Sequence, residues 1–283
     1  MFRYLSTHPH IFMSDPKEPH YFNTDYANRF VTGSDEYMHL FDAAGERHAY
    51  VGEGSTRYLH SQDALHNILE FNPAAKFLVM IRNPVEMAPA LHSQAVFDGY
   101  ESEFDFEKAW RLQFRRENGL SVPAICLEPK ILMYGSTCLM GQQLRKVLGA
   151  VNRSNVCIVL YDDFSVDTGR SYRQVLEYLG LPDDGKEVFQ TVNRNRVYRS
   201  RVLHGVLNSG RRIKRKLGID RDLGIMRLIN GCNVRGGARE PVGPRLRDEM
   251  VEYFRDDIAL LSGLIDRDLS HWLGVREADS NER

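Results

Sequence analysis

The sequence predicts an α/β protein in which parallel strands are covered by helices, and three stretches carry that expectation. KFLVMIRNPVEM (76–87) sets five uninterrupted apolar residues, Phe77 to Ile81, between punctuating residues, as in a strand covered on both faces. AYVGEGSTRYL (49–59) holds a shorter strand, and residues 61–71 carry Ala64, Leu65, Ile68 and Leu69 at helical spacing between the two. Strand, helix and parallel strand in that order make a βαβ unit. A second apolar strand, NVCIVLYDDF (155–164), ends in acidic residues.

At 283 residues the chain can bury a full core, as one α/β domain or one domain with an appendage. Hydrophobic content of 42% and charged content of 27% suit a soluble globular protein. With 37 basic against 38 acidic residues, wholesale nucleic-acid binding is disfavoured, though a local basic site is not. The cysteines at 126, 138, 157 and 232 lack metal-like pairing, and free thiols in a reducing compartment are expected. No apolar run reaches the length of a membrane span, and MFRYLSTHPHIF lacks the apolar core of a signal peptide. A cytoplasmic location is the expectation.

Residues 1–13 read as a short helix end followed by His-Pro, which turns or extends the backbone. In KEPHYF (17–22), an extended backbone puts Glu18, His20 and Phe22 on one face and Lys17 and Tyr21 on the other. A carboxylate and an imidazole on one face form either a proton-transfer pair or a surface charge pair. Pro19 has no donor for a ladder, so this segment belongs at an edge or strand terminus. A short helix is expected near 34–42. In VGEGSTRYL the glycines permit close backbone approach, and Ser55 or Thr56 either donates to a ligand or caps a turn.

After the 77–81 strand, Asn83 suits an N-cap, Pro84 the first helical position and Glu86 the capping-box partner. Arg82 is thereby placed at a strand's carboxyl end beside a helix N-terminus, where anions bind in open α/β sheets. Pairing with a local carboxylate is the competing reading. Pro89 should kink the helix in its second turn. Ala109, Trp110, Gln113 and Phe114 form the expected inward stripe of a helix at 105–118, residues 119–133 read as loop, and a further helix is expected at 136–148. GRSYRQVLEYLGL (169–181) is a helix with Val175, Leu176 and Leu179 inward, closed by Pro182. Val188 to Ile219 contains no acidic residue while arginines and lysines accumulate, and 231–244 is glycine-rich. A last helix spans about 244–265, with Leu246, Met250, Tyr253, Phe254 and Leu261 for packing, before a disordered tail from 276. The domain expectation is one unit over 1–275, with 188–240 a basic lid or insert and 276–283 a tail.

Taken together, these stretches resemble the PAPS-dependent sulfotransferases, in particular the branch shared by bacterial enzymes and the heparan sulfate sulfotransferases. The resemblance runs through HPHIF, KEPHYF, VGEGSTRYL, KFLVMIRNPVEM, YGSTCLMGQQL, VCIVLYDDF, VLEYLGL and DRDLSHWL, in order, over most of residues 5–273. It implies a three-layer, P-loop-NTPase-like fold with a central parallel sheet. It also implies transfer of a sulfuryl group from 3′-phosphoadenosine 5′-phosphosulfate (PAPS) to an acceptor, a carbohydrate or small-molecule hydroxyl in the expected reaction, without metal. Glu18 matches the family's general base, His20 a histidine beside it, and Lys17 adjoins both. Arg82 matches the arginine that binds the 3′-phosphate. Arg196 and Arg199 fall where the family closes a loop over the nucleotide.

Three departures accompany the resemblance. A Lys-Gly-Thr-Thr-like phosphate loop, with the first central strand, should precede HPHIF; the expectation is a missing N-terminal portion, with weakened grip on the 5′-phosphosulfate and unpaired neighbouring strands. The serine placed eight residues after the arginine is Ala90 here, with Ser93 one turn further along as the substitute. Gly54 follows Glu53 where the glycosaminoglycan branch often has a basic residue. The alternative is a catalytically inactive relative that binds a glycan or partner. A basic-patch binder of nucleic acid or membrane through 194–216 is the weakest reading, since aromatic interleaving is lacking there.

Overall fold

A computed structural model describes residues 1–190 and 241–274, together with the backbone of 196–198 and 234–236. The chain divides into two compact units. The first comprises Met1–Met87, Ser136–Phe189 and Met250–Arg283, and the second Ala88–Gly135 and Gln190–Glu249.

The first unit opens with α1 (Phe2–Leu5), β1 (Ile11–Met13), α2 (Ser34–His39), β2 (Tyr50–Gly52), α3 (Ala64–Phe71) and β3 (Phe77–Ile81). The later segments add the end of α6 (Tyr134–Thr137), α7 (Met140–Ala150), β4 (Val156–Leu160), α8 (Tyr161–Val166) and α9 (Thr168–Leu179). The parallel direction of the strands is as expected. One continuous sheet is not what the described residues form, because β1 pairs only with β2, and β3 only with β4. Side chains join the two pairs instead. Leu5, Ile11, Cys157, Val159, Tyr172, Val175 and Leu176 make one buried cluster, with Met13, Tyr50 and Leu78 packed against it. The Lys76 ammonium lies over the rings of both Tyr50 and Tyr178.

β3 is less covered than its apolar run implied: Val79 and Ile81 are buried but Met80 is exposed. On β4 the Arg153 guanidinium donates to the Val156 carbonyl at 2.6 Å and the Gln174 amide to that of Ile158 at 3.3 Å. These side chains satisfy carbonyls that would otherwise template another strand. The acidic end of the 155–164 stretch is the first turn of α8, where negative charge is favoured. α9 ends at Gly180, whose φ of 68° suits the residue without a Cβ.

The helix α10 (Pro244–Ile265) closes this unit from Met250 onward, burying Met250, Phe254, Ile258 and Leu261. Asp257 on α10 caps α7 from outside its sequence, accepting from the backbone of Gly141 at 2.8 Å and Gln142 at 2.9 Å. A Cβ on Gly141 would stand 2.4 Å from the Asp257 carbonyl oxygen, so the approach needs glycine. DRDLSHWL then clasps the start of α8: the Asp162 carboxylate accepts from Trp272 Nε1 at 2.6 Å and His271 Nε2 at 3.1 Å, and Asp163 pairs with Arg267.

In the second unit, α4 (Pro84–Asp98) continues from Ala88 onward and passes through Pro89 without a break, and α5 (Phe106–Arg116) begins at Asp105, which caps Lys108. The inward stripe of α5 is Ala109, Trp110, Gln113 and Arg116, whereas Phe114 faces out at 50% exposure. Electrostatics overrides apolarity here. Glu101 is fully buried and holds the Arg116 guanidinium in two hydrogen bonds of 2.6 and 2.9 Å, with the Tyr134 hydroxyl at 2.7 Å. The loop reading of 119–133 holds except for a 3₁₀ turn at Pro129–Leu132. The basic lid and the tail lie outside the described residues, apart from short backbone pieces.

Removing one partner of a fully buried pair leaves an uncompensated charge, so Glu101→Ala should cost about 3–5 kcal/mol. Phe114→Ala should stay within about 0.5 kcal/mol. Urea denaturation of both variants checks the contrast, and equal losses would refute this account of the α5 stripe.

Candidate active site

The KEPHYF segment is not extended. Glu18 (φ 64°) and His20 (φ 54°) both occupy the left-handed region, one on each side of the buried Pro19. For residues with a Cβ each such turn costs about 1–2 kcal/mol. Glu18 and His20 still meet, through two tight turns and not through strand alternation. The Pro19 carbonyl takes the backbone N–H groups of Phe30 and Val31, an arrangement no edge strand would have. His20 is buried, with Nε2 at 3.2 Å from a Glu18 oxygen and Nδ1 buried without a partner.

Glu18 receives three donors. The Lys17 ammonium sits at 2.9 Å on one oxygen, and the Thr56 hydroxyl and His20 Nε2 both stand at 3.2 Å from the other. Burial pushes the Glu18 carboxyl up, but the hydrogen bonds from His20 and Lys17 and the lysine charge outweigh it, bringing it to about 2. The carboxylate is ionised at neutral pH and one-third exposed.

Beneath this pair lies a second carboxylate. Glu53, just after β2, accepts from Ser55 Oγ at 2.6 Å, Tyr58 OH at 2.6 Å and Tyr37 OH at 3.3 Å. Burial raises its carboxyl and the three hydroxyls work against that rise. Ser55 therefore faces a protein carboxylate and the His20 backbone, while Thr56 reaches Glu18 itself. Tyr37 and Tyr58 escaped sequence reasoning, since neither adjoins the acidic residue in sequence. Gly54 is packed against α1, where a Cβ would come 2.6 Å from the Phe2 ring. A side chain at this position would have to push the Phe2 ring aside.

Arg82 follows β3 directly and precedes Pro84, the first residue of α4, as expected. Asn83 accepts the Val85 N–H at 3.0 Å. Glu86 does not complete a capping box; its carboxylate turns to Arg82 Nη2 at 3.1 Å. The guanidinium also lies 4.7 Å from the centre of the Tyr161 ring, and its Nε is buried without a partner. Both readings of Arg82 thus have a physical basis: a carboxylate partner on one nitrogen and an unused donor on another.

Ser93 lies in the second unit, and its hydroxyl donates to the Pro89 carbonyl at 2.9 Å. The Arg196 side chain and the whole of Arg199 lie outside the described residues. Among the described residues no group of His, Cys, Asp or Glu is arranged to hold a metal ion, and no helix is long and apolar enough to cross a membrane. Cys126, Cys138 and Cys157 are buried free thiols, with burial pushing Cys126 and Cys157 up to about 11.

Among solved structures, the crystal structure of a sulfotransferase from Alicyclobacillus acidocaldarius matches with a TM-score of 0.68 at 24% identity. The match covers 95% of this chain and 91% of that one. This chain has a sulfotransferase fold. Neither a family model nor a curated protein matches its sequence. On the sulfotransferase fold seen here, Lys17, Glu18, His20 and Thr56 are brought together within one unit.

A carboxyl held below its ordinary range stabilises the fold above pH 4.5, and that contribution is lost as pH falls through about 2. Between those limits the stability of the wild type should fall more steeply than that of Glu18→Gln. Urea titrations across that range read the difference directly, and parallel curves would remove Glu18 from the acid dependence.

Proposed function

We propose that this chain binds PAPS and transfers its sulfuryl group to a hydroxyl of a carbohydrate or small-molecule acceptor. The observation that carries the reading is the ionised Glu18 carboxylate, turned toward His20, Lys17 and Thr56 on a sulfotransferase fold. The donor supplies an activated sulfur–oxygen bond that breaks as the acceptor oxygen attacks, leaving a sulfate ester and adenosine 3′,5′-bisphosphate. Such a reaction needs a base for the acceptor proton, cations for the sulfonate and a site for the 3′-phosphate.

Glu18 serves as the base, taking the hydroxyl proton as the new oxygen–sulfur bond forms. It stays ionised at neutral pH; His20 and Thr56 hold its second oxygen, and the first, which Lys17 holds, takes the hydroxyl proton as the lysine turns to the sulfonate. Lys17, exposed beside it, supplies positive charge for the sulfonate. Arg82 takes the 3′-phosphate. Its unpartnered Nε and the Tyr161 ring beneath the guanidinium fit a group that binds by planar, charge-assisted hydrogen bonds. Phosphate must displace the Glu86 carboxylate, whose bond is exposed and correspondingly weak.

Calorimetric titration with adenosine 3′,5′-bisphosphate, against adenosine 5′-monophosphate as control, tests the nucleotide half of the proposal. Selective binding of the bisphosphate is expected. Arg82→Ala should reduce it at least about tenfold, a loss of about 1.4 kcal/mol, while leaving the monophosphate unaffected. Equal losses for both nucleotides would sink the assigned contact. In any preparation that turns over PAPS, Glu18→Gln should lower kcat by about 10²-fold or more with nucleotide affinity retained. Unchanged turnover would remove Glu18 as the base.

A further inference from the structure

Glu53 makes no hydrogen bond to Lys17, Glu18 or Arg82, yet two chains of hydrogen bonds lead from it to the KEPHYF segment. One oxygen takes the proton of Ser55, and Ser55 Oγ in turn accepts the backbone N–H of His20 at 3.1 Å. The other takes the proton of Tyr58, whose oxygen accepts the backbone N–H of Phe22 at 3.2 Å. A hydroxyl placed between an N–H and a carboxylate has a determined polarity, because its one proton goes to the carboxylate and its lone pair faces the N–H. Two alternate N–H groups of KEPHYF are thereby fixed against one anion. The His20 backbone, in the left-handed region, gains an external restraint at this point, in addition to the bonds that Phe30 and Val31 make to the Pro19 carbonyl.

We propose that Glu53 is the positioning residue of this site: through Ser55 and Tyr58 it anchors the His20 and Phe22 backbones, so that His20 and Glu18 keep the geometry in which they meet. The assignment of catalytic consequence rests on the function proposed above, whereas the positioning itself does not. The groups facing Glu53 are Ser55 and Tyr58 from the turn after β2, Tyr37 from α2 and His20; those facing Glu18 are Lys17, His20 and Thr56.

The two ways Glu53 can act on Glu18 have opposite signs. If only its charge matters, Glu53→Gln removes a nearby anion and lowers the midpoint at which Glu18 titrates. If it acts by positioning, the amide confronts one hydroxyl with a donor in place of an acceptor. The relay then fails, the bond from His20 to Glu18 loosens, and the midpoint rises from about 2 toward 4.5.

The test is a carbon-13 titration of the glutamate side-chain carboxyls over the folded pH range, with the Glu18 signal assigned by Glu18→Gln. An upward shift of about one unit or more is expected in Glu53→Gln and in Ser55→Ala, with recovery in Ser55→Thr, which keeps the hydroxyl. Ser55→Ala carries the test alone if Glu53→Gln fails to fold. No shift in the folded variants, or a downward one, overturns the proposal. A shift in Glu53→Gln with Ser55→Ala unmoved overturns it as well, since the relay would not be the route. The titration needs no substrate. A positive result in a chain that never transfers a sulfuryl group would sink the proposed reaction and keep the positioning role.

Discussion

A carboxylate withdrawn from water must find donors, and the arrangement of this chain follows from meeting that requirement at several places. Glu101 is fully buried and gathers Arg116 and Tyr134 around it, which decides which face of α5 turns inward. Asp257 takes the free amides at the start of α7, so that α10 and α7 are locked by a polar contact as well as by packing. Glu53 collects three hydroxyls from α2 and the turn after β2. In each case at least one partner comes from another element of the fold, and the carboxylate ties the two together.

At the candidate site this requirement bears on chemistry. Glu18 has donors enough to stay ionised but keeps one-third of its surface in solvent, so it can meet a second molecule. Glu53, deeper and fully engaged, has no such freedom. The difference between a water-accessible outer carboxylate and a restrained inner one follows from how many donors surround each and how much water reaches it. Arg82 shows the complementary case. Its guanidinium is backed by an aromatic face and lightly held by an exposed carboxylate, leaving donors unused.

Much of the fold was legible in the sequence. The 77–81 strand, the helix beginning at Pro84 and the helix at 244–265 fall where apolar runs and proline placement put them. The association of Glu18 with His20 was also foreseen, but by the wrong route: alternation along a strand was expected, and two left-handed turns about Pro19 deliver it. Phe114 was expected inward but faces out, and Arg116 takes the inward position, because hydrophobic periodicity carries no knowledge of a buried Glu101 fifteen residues away. Glu86 was expected to cap a helix, but the nearer cation drew it away.

The sequence by itself determined the α/β class, the order of strands and helices, and the residue types able to take a proton or bind an anion. These are properties of short windows, set by periodicity, capping and side-chain chemistry. Only the tertiary structure decided that β1–β2 and β3–β4 form separate pairs joined through a common core. It alone also decided that Thr56 reaches Glu18, that Tyr161 lies beneath Arg82, and that Ser55 and Tyr58 tie His20 and Phe22 to Glu53. Those contacts join residues far apart in the chain, and no local pattern encodes which donor a carboxylate will find once the core has closed.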